Sequence, residues 1–194
     1  MSAPLGLSCR PARTSERRVA NVPKVDFISK SRSSAVLLAG DERIALEGFL
    51  DDHRYLISDA VTGLSETETR RSLVPSKTTL LGIVHHAAAV ERFFFQRTLL
   101  GRAPADIDGL SDATDISWDL PHDLRVADAV AQFESACAES RRVAEAYPLE
   151  HVTVHNPVRG PLTVRWIYLR MIEELSRHAG QADILREQIL AQRD

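Results

Sequence analysis

Residues 171–187 read MIEELSRHAGQADILRE, and their phase decides the fold. Around this stretch Val164, Tyr168, Met171, Leu175, His178, Ala182, Leu185 and Ile189 recur at alternating steps of four and three. That spacing is the apolar stripe of a helix packed in a bundle. Seven of the eight positions suit an apolar core, and the other is His178. Glu174 stands one turn earlier, beside the stripe. Residues four apart in a helix lie one above the other, so Glu174 and His178 can reach one point. They could share a hydrogen bond at the edge of the core, or act together as ligands of a divalent metal.

Working outward, three more long helices are expected. The first runs from about Asp41, a good N-cap, to Gly63, a good C-terminal stop. Its inner face is Leu46, Leu50, His53, Ile57, Ala60 and Leu64. The second runs from about Thr78 to Leu100, with capping hydroxyls in SKTTLLG before it and Gly101 after it. The third runs from about Leu124 to Tyr147, with Val126, Val130, Phe133, Cys137 and Ala144 inward and Pro148 preventing its continuation. The loop LEHVTVHNPVRGP follows, and the last helix begins near Leu162. No strand set of any size is expected. The stretch GRAPADIDGLSDATDISWDLPH, 101–122, is long for a helix connection, which points to a crossover. The expected fold class is all-α: a four-helix bundle with a long crossover between helices 2 and 3.

Composition narrows the function classes. The chain has 194 residues, 44% of them hydrophobic, enough for one domain with a real core. Its net charge of −3 suggests no general affinity for nucleic acid. Residues 1–34 carry seven basic and two acidic side chains, a net of +5, which leaves −8 on the rest. This segment is rich in Arg, Ser and Pro and shows no period, so it reads as a flexible basic arm preceding a domain at 35–194. No run reaches the ~18 apolar residues of a membrane span. The start MSAPLGLSC lacks the basic region and long apolar run of a secretion signal. Cys9 and Cys137 make no disulfide framework. A cytoplasmic setting is expected, with no membrane and no nucleic-acid partner.

The second helix adds chemistry to the last. It reads TTLLGIVHHAAAVERFFFQR and contains adjacent histidines. His86 shares a stripe with Ile83, Val90 and Phe93, so it points inward. His85 shares its line with Leu81, Ala89 and Arg92 and lies nearer a polar edge. Buried imidazoles need partners, and facing helices of a bundle are where metal sites are built. Spacing alone leaves both a metal and a hydrogen-bonded cluster open. His53 could line a pocket or be a satisfied core histidine. His151 and His155 flank a loop and are expected in solvent. Trp166, Tyr168, Phe93, Phe94 and Phe95 read as core. Arg92 and Arg177 read as helix-surface arginines that could also meet an anionic substrate. There is no phosphate-binding Gly-rich loop, CxxC pair or nucleophile elbow.

Three stretches carry a resemblance: GDERIALEGFLDDHR (40–54), TLLGIVHHAAAVERFFFQRTLLG (79–101) and GPLTVRWIYLRMIEELSRHAGQADILRE (160–187). Together they resemble the DinB/YfiT-like superfamily of metal-dependent bundles, in its actinobacterial domain-of-unknown-function branch that includes the mini-circle protein. The likeness spans about Leu37 to Leu190. It implies one metal ligand from the second helix and two, four apart, from the last, which fall on His86, Glu174 and His178. HAGQ, 178–181, matches the superfamily's HRGQ-like signature. Glu174 stands where histidine is common, and Gln181 where the branch often carries a second histidine; Gln181 is thereby a candidate pocket residue.

The resemblance further implies a divalent metal, zinc first, with nickel, manganese or iron as alternatives. It implies a transferase or isomerase that uses a low-molecular-weight thiol of the mycothiol type on a small-molecule substrate, in a protein that can form a homodimer. A metal-dependent hydrolase is the competing enzyme class. A non-catalytic small-molecule-binding or stress-associated bundle with a structural His/Glu cluster is the alternative outside enzymes.

Overall fold

Asp41 opens the first helix, α1 (Glu42–Asp59), by accepting a bond from the Ile44 amide at 3.0 Å. The computed structural model describes residues 40–110 and 118–193. The expected basic arm (1–34) and residues 111–117 of the crossover lie outside them. α1 buries Leu46, Leu50 and Ile57, and the chain then turns at Gly63, whose φ of +73° suits glycine. A one-turn helix, α2 (Glu66–Thr69), follows, closed by a capping box between Ser65 and Glu68.

α3 (Leu80–Glu91) starts at Thr79, whose hydroxyl accepts from the Gly82 amide at 3.0 Å. Ten of its residues are buried, His86 and Glu91 included. It runs straight into a π-helical segment, Arg92–Leu99. The extra residue per turn rephases the chain. Phe94 and Phe95 are therefore the buried phenylalanines, and Phe93, expected on the inner stripe, is only half-buried.

α4 (Val126–Glu145) buries Phe133, Cys137 and Ala144 as expected, whereas Val126 and Val130 are half-buried. The loop after Pro148 holds a small ladder that periodicity did not reveal. β1 (Val152–Thr153) pairs antiparallel with β2 (Leu162–Thr163), Val152 opposite Thr163. α5 (Val164–Leu190) then begins at Thr163, whose hydroxyl accepts from the Trp166 amide. All eight stripe residues of α5 are buried.

The described chain is thus mostly helical, and none of its helices is long and apolar enough to cross a membrane. α1 packs chiefly on α5, and α3 chiefly on α4, while α3 also meets α5. α1 and α5 run in the same direction: Arg165 bonds Glu42 near their starts, and Arg186 donates to the Ala60 carbonyl near their ends. Leu50, Ile57, Leu81, Ile83, Phe95, Phe133, Ile167, Met171 and Leu175 form the centre of the core. A buried ion pair lies within it. Arg54 of α1 donates to both oxygens of Glu91, at the end of α3, at 2.8 and 2.7 Å.

Candidate metal centre

α3 and α5 meet where each carries polar residues on its buried face. His86 comes from α3, and Glu174 and His178 from α5, one turn apart. All three are buried, and one donor atom from each lies within 4.8 Å of the others. Oε1 of Glu174 is the shared point: His178 Nε2 is 3.1 Å away and His86 Nε2 is 3.3 Å away. Metal–ligand distances of roughly 2.0–2.2 Å set neighbouring donor atoms roughly 3.0–3.5 Å apart, so both separations fit a metal shell. The donor set, two imidazoles and a carboxylate, suits a divalent first-row metal.

Neighbouring side chains hold these donors in place. Arg170 donates to Oε2 of Glu174 at 2.7 Å, which turns Oε1 toward the histidines. Arg177 adds charge at 3.7 Å. The Gln181 side-chain oxygen lies 2.8 Å from His178 Nδ1. With the amide in this orientation, Nδ1–H donates, and a neutral ring leaves a bare lone pair on Nε2. Nε2 then faces a carboxylate oxygen at 3.1 Å, an arrangement that suits a shared metal ion. Hydrogen bonds from His178 and then His86, with the charge of Arg170, hold the Glu174 carboxyl well below the usual carboxylate range, although burial opposes them.

Trp118 forms a wall. Its ring stacks on His86 at 4.3 Å between centroids and meets His178 edge-on at 5.4 Å. It approaches α3 at Gly82, where an added Cβ would lie 3.8 Å from the indole.

The remaining candidates fall elsewhere. His53 is not in the three-residue cluster; its ring is half-buried and Nδ1 is buried without a partner. His85 is half-buried beside the site, also with an unpartnered Nδ1. His155 is exposed and packs against Gly101, while His151 is half-buried beside Tyr147. Arg177 is half-exposed as expected, but Arg92 is buried. Sequence reasoning missed Trp118, which is distant in the chain, and Arg170, which looks like any surface arginine. The i,i+4 spacing of Arg170 to Glu174 was the one available signal.

The family model described as Mycothiol-S-transferase matches residues 45–191. No curated protein matches the chain. The protein belongs to the mycothiol S-transferase family, a metal-dependent, mycothiol-related group within the DinB/YfiT-like metalloenzyme superfamily.

Proposed function

We propose that this protein is a metal-dependent transferase or isomerase that uses a low-molecular-weight thiol of the mycothiol type, with the metal held by His86, Glu174 and His178. The observation that carries the reading is the convergence of these three donors from two helices, in a chain of this family. A divalent cation bound there would supply the acidity that makes a thiol a thiolate near neutral pH. The donor set favours zinc, with nickel, manganese or iron as alternatives.

The protein's own residues shape that role. Three ligands leave open positions, as in catalytic rather than structural sites. Arg170 keeps Glu174 on one oxygen, and Gln181 fixes the His178 tautomer. Trp118 covers the imidazoles and keeps water from that side. In this reading 35–194 is the catalytic domain, a four-helix bundle with its crossover before α4, and 1–34 is a separate arm. The enzyme is cytoplasmic, takes small-molecule partners rather than nucleic acid or membrane, and assembles as a homodimer.

A structural His/Glu cluster is the second reading. It draws on Glu174, whose two oxygens already have protein partners. Metal analysis of tag-free protein, run with a mycothiol-transfer assay, separates the two. The enzyme reading expects about one divalent metal per chain and thiol transfer that a chelator abolishes. Metal-free protein with no thiol consumption would favour the structural cluster.

A further inference from the structure

Arg92 is the first residue of the π-helical segment and is only 8% exposed. A guanidinium carries five N–H donors. Among the described residues its one hydrogen bond is from Nη2 to the Gln132 carbonyl, long at 3.5 Å. No described carboxylate lies within 4.0 Å of it. Asp108 supplies nearby negative charge without touching it. Arg54 shows how this protein treats a structural buried guanidinium: two bonds to Glu91 and a third to Asp51 at 2.8 Å. Among the described residues Arg92 has nothing comparable, and a buried charge with so few partners is costly.

Gly109, at φ +68°, faces the guanidinium; a Cβ there would lie 3.2 Å from Nη1, so no side chain separates the loop backbone from the cation. His85 stands seven residues earlier on the same helical line. Its Nδ1 is buried without a partner, and the residue as a whole is half-buried. An unpartnered lone pair costs less than an unpartnered N–H, which favours the ring proton on Nε2.

We infer that Arg92, with His85 on the same helical line, is a subsite for the carboxylate group of a small molecule. A carboxylate matches the planar fork of a guanidinium and neutralises its single charge. Arg92 lies six residues beyond His86, roughly 9 Å along the helix axis. Anion binding at Arg92 is independent of the proposed thiol chemistry.

The test is an NMR titration of chelator-treated, full-length protein carrying ¹⁵N in its arginine side chains. Sodium acetate should give a saturable shift of the Arg92 Nε–H signal, and neutral acetamide none. Affinity should fall about tenfold in Arg92→Lys, which keeps the charge but loses the fork, and should also fall in His85→Ala. No saturable shift with acetate, unchanged acetate affinity in Arg92→Lys, or tighter binding of inorganic phosphate than of acetate would overturn the assignment. Acetate binding in a protein that transfers no thiol would sink the proposed function and leave the subsite standing. Thiol transfer without acetate binding would do the reverse.

Discussion

At the residue scale the site turns on one oxygen, Oε1 of Glu174, placed between the Nε2 atoms of His86 and His178. Its orientation depends on groups that are not ligands. Gln181 is exposed, so Gln181→Ala should leave stability within about 0.5 kcal/mol of wild type. It also removes the acceptor of His178 Nδ1–H, and metal affinity should fall about tenfold or more, as read by calorimetric titration. Unchanged affinity would show that Gln181 does not fix the tautomer. His86→Ala should abolish metal binding, and His85→Ala should not; equal losses would mean that the two histidines share the role. His53 offers a pH test. Burial holds its ring below the ordinary imidazole value, against the charge of Asp52. It stays neutral in the fold, while the unfolded chain gains a proton as pH falls below about 6.5. Unfolding therefore takes up protons, and this contribution to stability is lost as pH falls from about 6.5 toward the lowered value. In chelator-treated protein, His53→Leu should show a flatter fall of stability between pH 7 and 5 than wild type, by urea denaturation. Equal slopes would contradict the burial of this ring.

At the element scale the Arg54–Glu91 pair ties α1 to the end of α3, where the π-helical segment begins. Removing one partner leaves the other charge buried, so Glu91→Gln should cost about 3–5 kcal/mol in denaturation experiments. Adding Arg54→Met should recover part of that loss; a Glu91→Gln protein as stable as wild type would contradict the burial of the pair. The same region marks where the sequence was legible and where it was not. The 3.6-residue period placed the α5 stripe, and it set His86 inward with His85 to its side, because burial acts on every turn of a regular helix. It failed after Glu91, where the switch to i→i+5 bonding left Phe93 only half-buried and buried Arg92, which had read as a surface arginine. No local residue preference announces that switch. Arg54 and Trp118 were invisible for another reason: their partners lie 37 and 32 residues away, and periodicity carries no information about such pairings.

At the scale of the whole molecule, residues 1–34 and the helical remainder should be separable. The arm's composition offers little apolar surface to offset the entropy of ordering it. Deleting 1–34 should leave the melting temperature unchanged, and a large drop would show that the arm packs on the helices. The helical part should instead respond to metal, because ligands gathered from α3 and α5 link metal binding to folding. The direct measurement is the stability of full-length, tag-free, chelator-treated protein with and without zinc, beside His86→Ala. Zinc at a thousandfold excess over its dissociation constant should stabilise the wild type by about 4 kcal/mol and leave His86→Ala unmoved. A wild type whose unfolding is indifferent to zinc, nickel, manganese and iron would contradict a metal at His86, Glu174 and His178.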